Sequence, residues 1–265
     1  MERRRSGMSA DSGKCAACCV EHCLCKREAV FRAHQVHCVE VENEPTHPEL
    51  FRNEWVRVYA GILAIGNCTL FHRHTRDTLY VTLRDASLLN EYFVDPSLRD
   101  AHTKTYRHDA RRFEVFGRWH ATDQNPLVHR VCYPSDWAKS LADRSASPTT
   151  LFIGIEFLAY PEVSPALIVA DAVRIESVAE YLQEPSSPRM RLWRLRENLE
   201  AIRLPFHCVV IEWSSPLDEH WDTTDLATLM KLTASRVRFV PAGVQQLRVL
   251  ANTLVVELRS RTDPS

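Results

Sequence analysis

The sequence predicts an all-β protein, and three observations lead to that prediction. Long runs of strand-forming residues recur, most clearly at Trp55–Ile65, Leu79–Leu83 and Leu151–Leu158. Turn-forming residues separate such runs, as Gly66 and its neighbour do before the histidine-containing stretch. Only Val173–Leu182 has a helical pattern, and that pattern is weak. The chain therefore reads as a succession of strands.

Length and net charge limit the number of domains and the classes of partner that the chain can have. Its 265 residues, 45% of them hydrophobic, suffice for one large domain or two small ones. A net charge of −1 provides no strong field that would attract nucleic acid or an acidic membrane. No apolar run approaches the roughly 18 residues of a membrane span, and the first thirty residues lack the apolar core of a secretory signal. We expect neither nucleic acid nor membrane as a partner.

The nine cysteines are an odd number, and five of them lie in Cys15–Cys25. The remaining four are scattered through strand-like segments at Cys38, Cys68, Cys132 and Cys208. This distribution favours buried free thiols in a reducing compartment over a disulfide framework. We therefore expect a cytoplasmic protein.

A pair of histidines dominates the stretch from Gly66 to Leu83. Residues two apart in a strand point to one face, so His72 and His74 lie together while Arg73 points away. Asp77 suits the turn to the following strand. These two imidazoles form half of a metal cage, which needs a further imidazole or carboxylate from elsewhere in the chain.

A second motif supplies such a ligand. After Asn125-Pro126, the short strand Leu127–Val131 contains His129. The pattern Gly-x5-His-x-His, followed later by Pro-Leu-Val-His-Arg-Val, resembles the two motifs of the cupin superfamily. The matching residues are Gly66, His72, His74, Pro126 and His129. The resemblance covers roughly Glu54 to Leu158 and implies a double-stranded β-helix, the cupin jelly-roll barrel.

The resemblance implies a metal site of three histidines: His72, His74 and His129. Metal-binding cupins usually add a glutamate that three or four residues separate from the second histidine, where this chain has Thr78 and Leu79. Asp77 is either a fourth ligand, if the turn bends, or a turn residue that pairs with Arg73 or Arg76. Three imidazoles suit a divalent ion, with Fe²⁺ favoured and Zn²⁺, Ni²⁺ and Cu²⁺ as alternatives.

Three further residues are candidates for the site. Tyr80 is either a pocket hydroxyl with a catalytic role or a packed residue of the barrel wall. Glu156 either faces inward as an acid–base group, as its alternation with Gly154 and Leu158 suggests, or faces outward to pair with an arginine. Trp119 either lines the pocket mouth and binds substrate or packs in the core.

Two other features matter for the comparison with the structure. Asp95–Ala110 is polar and irregular, which predicts a surface loop between the two motifs that is long enough to be a lid. His37 and His47 are expected to be exposed or to make simple hydrogen bonds.

The last third of the chain is interpreted as a degenerate second copy of the first barrel. In this alignment Phe206–Trp213 matches the long strand, His220 and Asp222 stand at the positions of His72 and His74, and Leu226–Leu232 is the next strand. Gln246 replaces the second-motif histidine, and Leu254–Leu258 matches the strand around Glu156. We interpret this as a bicupin with a degenerate C-terminal half that covers the edge strands of the first barrel; chance resemblance is the alternative.

The predicted organisation has four parts. Residues 1–27 form a Cys-rich tail, 28–160 the metal-binding barrel, 161–191 a linker with a short helix, and 192–262 the degenerate barrel. The tail is interpreted as disordered, although its cysteines and His22 also suffice as zinc ligands.

Two functions are consistent with these residues. One is a metal-dependent enzyme, an oxidoreductase of the Fe(II) dioxygenase type that acts on a small molecule. The other is a non-catalytic cupin that binds a small ligand or serves as an assembly module. The intact histidine triplet and the long loop favour the enzyme, whereas the missing glutamate and the degraded second half favour the binding module. Cupins commonly form homodimers, so the resemblance also implies a homodimer.

Overall fold

The all-β class is confirmed. A computed structural model describes residues 29–31, 36–93, 103–119, 121–122, 124–135, 149–161, 179–182, 190–202, 204, 206–212, 225–242 and 247–259. These residues contain eighteen strands, one short 3₁₀ helix (Val41–Asn43) and one α-helix, α1 (Leu226–Ala234). The Cys15–Cys25 tail and the predicted second-copy residues His220, Asp222 and Gln246 lie outside the described residues.

Two facing sheets build the first barrel. Its strands are β1 (Ala29–Phe31), β2 (Val36–Glu40), β3 (Glu49–Arg52), β4 (Val56–Ala64), β5 (Phe71–His74), β6 (Thr78–Thr82), β7 (Ala86–Phe93), β8 (Thr103–Ala110), β9 (Val115–Arg118), β10 (Leu127–Cys132) and β11 (Thr149–Phe157). One sheet has the order β1-β2-β5-β10-β7-β8 and the other β3-β4-β11-β6-β9. The crossing between sheets makes a jelly roll, as the sequence predicts. The prediction of an irregular loop over Asp95–Ala110 is wrong for the second half of that segment, which is strand β8.

The five-stranded sheet is buried on both faces, which explains the continuous apolar run in β4. Val56 and Val58 point outward into a large apolar core, whereas the next residue, Tyr59, points into the barrel. Gly154 lies opposite Tyr59 on β11, and a Cβ at Gly154 would lie 2.2 Å from the Tyr59 ring. The glycine therefore makes the space in which this ring lies.

Seven strands form the second half of the protein: β12 (Ala179–Leu182), β13 (Met190–Leu195), β14 (Leu199–Ile202), β15 (His207–Ile211), β16 (Val237–Val240), β17 (Leu247–Val249) and β18 (Leu254–Leu258). The sheet order β12-β13-β18-β15-β16 repeats β3-β4-β11-β6-β9 strand for strand, and β14-β17 pairs as β5-β10 does. The predicted helix in Val173–Leu182 is wrong over Ala179–Leu182, which is β12.

The strand order supports an internal repeat but shifts its alignment. β15 is the counterpart of β6 and not of the long strand β4. The expected strand at Leu226–Leu232 is instead part of helix α1, which begins after an Asp225 cap and follows β15 in chain order, as β7 follows β6 in the first barrel. The counterpart of the histidine strand is β14, Leu-Glu-Ala-Ile, which contains no histidine.

The two halves share one core. Outward side chains of β4, β6 and β11 pack against those of β13, β15, β18 and α1. The second sheet thus covers a face of the first barrel. This face includes the edge strand β3, which α1 contacts, as well as the central strands β4 and β11, whose apolar residues need a partner across the sheet face.

No helix among the described residues is both long and apolar enough to cross a bilayer.

Candidate metal centre

Strands β5 and β10 bring the three predicted histidines together. The strands pair antiparallel with His129 directly opposite His72, so both side chains leave the same face of the sheet. His74 lies two residues along β5 on that face. All three histidines are buried, and one ring nitrogen from each lies within 4.8 Å of the others.

The nitrogen positions fit a divalent ion. Nε2 of His74 lies 3.1 Å from Nε2 of His129, and two imidazole nitrogens that each bind one ion at about 2.1 Å are separated by about 3.0–3.4 Å. Nδ1 of His72 donates a hydrogen bond to the carbonyl of Leu70 at 2.9 Å, which leaves the Nε2 lone pair available. That Nε2 atom is buried and has no hydrogen-bond partner among the described residues.

Burial also keeps these imidazoles neutral. It lowers the pKa of His72 to about 4. It lowers the pKa of His74 and of His129 well below the usual histidine value, and repulsion from neighbouring cations adds to the effect. Neutral imidazole is the form that binds metal, so the site is ready for an ion at neutral pH.

A fourth histidine, His47, lies beside the cluster. Its ring contacts the His72 ring edge-on at a centroid distance of 4.7 Å. It is buried, so the expected surface position is wrong, and burial lowers its pKa well below the usual value. The carbonyls of Thr46 and Pro48 accept hydrogen bonds from β4 and hold this segment across the strand. No local pattern marks the position in the sequence.

Tyr80 is at the cluster. Its hydroxyl lies 3.3 Å from each ring nitrogen of His74, and its side chain lines the cavity described below. Burial raises the pKa of Tyr80 well above its usual value, and the nearby Tyr59 and Glu156 raise it further. The phenol therefore stays protonated and acts as a hydrogen-bond donor.

Glu156 is buried on the strand face that Gly154 shares, but it does not line the cavity. Arg57 holds its carboxylate at 3.2 Å, so the inward position and the arginine partner both apply. In the second half, Glu257 stands opposite Arg191 just as Glu156 stands opposite Arg57. Because the half without the histidine strand keeps this arrangement, the pair is explained by barrel structure.

Trp119 and Asp77 lie away from the histidines. The Trp119 ring packs in the shared core, 6.0 Å from the ring of Phe157, and does not line the cavity. Asp77 accepts a hydrogen bond from the Tyr160 hydroxyl at 3.0 Å and is not one of the three clustered ligands.

A cavity of about 600 Å³ adjoins the cluster between the two sheets. His47, His72, His129 and Tyr80 are on its wall. The stacked rings of Tyr92 and His129, 5.1 Å apart, continue the wall along the six-stranded sheet. Its size suits a small molecule.

Comparisons with solved structures find relatives of low sequence identity. A cupin domain from Bordetella pertussis is 22% identical over 43% of this chain and 92% of its own length, with a TM-score of 0.31. AerE from Microcystis aeruginosa is 8% identical over 81% of this chain and 97% of its own, with a TM-score of 0.41. Oxalate decarboxylase from Lactobacillus farciminis is 7% identical over 78% of this chain and 73% of its own, with a TM-score of 0.31.

No protein-family model and no curated protein sequence matches the chain. The strand order and the placement of the histidines on β5 and β10 are those expected from the two sequence motifs. The first barrel is a jelly roll of two facing sheets.

A disulfide lies in the first barrel next to strands β5 and β10. Cys132, at the end of β10, is bonded to Cys68, which precedes β5. The prediction of free thiols is therefore wrong for these two residues, whereas Cys38 and Cys208 are buried thiols that are not disulfide-bonded. The bond links the two segments that contain all three histidines.

Proposed function

We propose that the chain is a metal-binding cupin that acts on a small molecule as an enzyme of the Fe(II) dioxygenase type. The observation that carries the proposal is the set of three neutral, buried histidines, two of which, His72 and His129, line the cavity. His72, His74 and His129 would hold the ion. A bound ion with three protein ligands supplies Lewis-acid or oxygen-activating chemistry at its open positions.

The chain's own residues would contribute orientation and proton control. The protonated Tyr80 hydroxyl beside His74 donates a hydrogen bond to a group held at the cluster. The surrounding apolar wall excludes water, which strengthens each polar contact in the cavity. Glu156 remains bound to Arg57 and preserves the barrel.

The alternative is a non-catalytic cupin that binds a small ligand or assists assembly. Thr78, which is separated from His74 by three residues and stands where metal-binding cupins have glutamate, favours it. The cytoplasmic location, which the cysteine distribution predicts, and the homodimer, which the resemblance implies, stay predictions.

Metal content by mass spectrometry on the full chain tests the proposal. We expect His72→Ala and His129→Ala each to lose close to one equivalent of metal relative to the unaltered protein, because two imidazoles hold an ion poorly. His47→Ala is the matched control: it removes a buried histidine that contacts His72 but is not one of the three clustered ligands, so its metal should remain. Comparing variants cancels any zinc on the Cys15–Cys25 tail. Equal metal content in all four proteins would overturn the proposed site.

Oxygen uptake separates the enzyme from the alternative. The iron-loaded protein is screened against small acids, thiols and diketones, with His74→Ala treated identically. Substrate-dependent oxygen consumption that His74→Ala abolishes supports the dioxygenase. Metal binding without turnover of any of these compounds favours the binding module.

A further inference from the structure

The cavity beside the histidines has an unusual charge balance. Among the described residues that line it, none is an aspartate or glutamate, and Arg118 is the one with a permanent charge. A guanidinium keeps its charge even when buried. The cavity therefore offers one fixed cation and no fixed anion from the described wall.

Arg118 points into the barrel. It lies on β9 opposite Thr78, on the strand face that Phe116 shares, while the next residue, Trp119, packs in the outer shared core. The Nε atom of Arg118 is buried and has no hydrogen-bond partner among the described residues.

Three other arginines of the same barrel are each held by a carboxylate: Arg57 by Glu156 at 3.2 Å, Arg73 by Glu40 at 2.9 Å and Arg130 by Glu91 at 2.6 Å. Leaving a buried N–H donor, such as Nε of Arg118, without an acceptor is costly. A ligand anion would relieve that cost, and a carboxylate matches the planar fork of arginine with two parallel hydrogen bonds.

The position of Arg118 links it to both sides of the site. Arg118 lines the same cavity as the ligand histidines His72 and His129. Tyr92, whose ring stacks on that of His129, lines it as well. A carboxylate on Arg118 would thus leave the rest of the ligand beside the histidines.

The remaining wall selects the body of the ligand. Apolar and aromatic side chains make up much of it, among them Leu88, Phe93, Phe116, Val128 and Phe152. Tyr92 and Tyr106 add a stacked pair with centroids 5.0 Å apart whose hydroxyls bond to each other at 2.6 Å. Flat apolar groups pack well against such walls.

We infer that the cavity binds a small monocarboxylate with an apolar or aromatic body, and that Arg118 binds the carboxylate. The inference concerns the same cavity as the proposed function and names its substrate class. It does not require the metal for binding, since the guanidinium belongs to the protein.

Matched acid and amide probes test the inference on the full chain. We would titrate benzoate against benzamide and 3-phenylpropionate against 3-phenylpropionamide by calorimetry, using EDTA-treated protein whose fold is verified by circular dichroism. At least one acid should bind ten-fold or more tightly than its amide. Arg118→Gln should abolish the preference. Arg118→Lys, which keeps the charge but not the fork, should retain part of it.

Arg73→Gln is the control, because Arg73 points away from the cavity and pairs with Glu40. It should leave the preference unchanged. If neither acid binds better than its amide, or if the preference survives Arg118→Gln, the inference is overturned. An acid preference that appears only after metal loading, and that Arg118→Gln does not alter, would place the carboxylate on the ion; that result overturns the inference and leaves the proposed metal site standing.

Discussion

At the scale of single residues, the buried histidines have a cost that depends on pH. An unfolded histidine takes up a proton near pH 6.5, whereas His72 in the folded chain does so only near pH 4, because of burial. The pKa values of His47, His74 and His129 are also lowered by burial. Between these pH values the unfolded state binds more protons, so stability falls as the pH falls.

We therefore predict that the metal-free protein loses stability when the pH is lowered from 7 to about 4.5, and that most of the loss lies below 6.5. Each buried histidine contributes up to about 1.4 kcal/mol per pH unit in that window. Urea unfolding at several pH values measures the slope. His47→Phe removes one of these imidazoles and should make the slope shallower. A free energy of unfolding that stays constant from pH 7 to 5 would contradict the prediction.

The sequence predicted the histidine triplet correctly because its information is local. The spacing of His72 and His74 fixes a shared face, and the second motif adds His129. His47 and Arg118 were not predicted as site residues. Their positions depend on how β9 and the segment before β3 pack across the barrel, and no spacing rule records that packing.

At the scale of strands, Gly154 shows how the wall of the site is built. A Cβ there would lie 2.2 Å from the ring of Tyr59, in the centre of a sheet with little room to adjust. We predict that Gly154→Ala lowers the free energy of unfolding by about 1–3 kcal/mol through overpacking. Gly66→Ala is the comparison, because a Cβ there meets open space although φ is +84°, and its cost should be about 1 kcal/mol. Denaturant unfolding of both variants measures the difference; equal effects would argue against crowding by Tyr59.

The disulfide follows from the same strand pairing. The register that sets His129 opposite His72 brings Cys132, three residues later, close to Cys68, four residues earlier. The number and distribution of cysteines alone predict free thiols, because they carry no information about strand register. The pairing becomes predictable only once both metal motifs are placed on adjacent antiparallel strands.

We predict that Cys68 and Cys132 appear as one linked peptide when the non-reduced protein is alkylated, digested and analysed by mass spectrometry. The bond closes a loop with a sequence separation of 64 residues. By the loop-entropy relation, removing it in a Cys68→Ala/Cys132→Ala variant should cost about 4 kcal/mol. Cys38→Ala, at a free buried thiol, is the control and should leave the linked peptide in place. Separate alkylated Cys68 and Cys132 peptides would contradict the prediction.

At the scale of the whole molecule, the repeat was recognised but misaligned. The strand around Glu156 corresponds to Leu254–Leu258, as the sequence predicts, because an acidic residue recurs within an apolar strand in both halves. The alignment through the histidine motif places Phe206–Trp213 opposite the wrong strand. Between β15 and β16 the described residues contain helix α1 and no strand, so the strands of the two halves do not correspond one to one.

The shared core implies that the two halves unfold together. Leu254 is fully buried in that core, where β18 packs on the first barrel. We predict that Leu254→Ala lowers the hydrogen-exchange protection of β5 and β10, although both strands belong to the other half, by the same amount as that of β15. The expected loss is about 2–5 kcal/mol, because exchange from a cooperative unit reports its global stability.

Leu195→Ala is a second test of this prediction. Leu195 is equally buried, but it packs in the small separate core inside the second half. Because a cooperative unit reports one global stability, Leu195→Ala should also lower the protection of β10 and β15 by equal amounts, and a loss confined to β15 would contradict cooperative unfolding. If Leu254→Ala instead leaves β5 and β10 as protected as before, the two halves unfold independently, and the second half does not stabilise the histidine site. If the protection of β5, β10 and β15 falls by the same amount, the second half stabilises the sheet that forms half of the cavity wall.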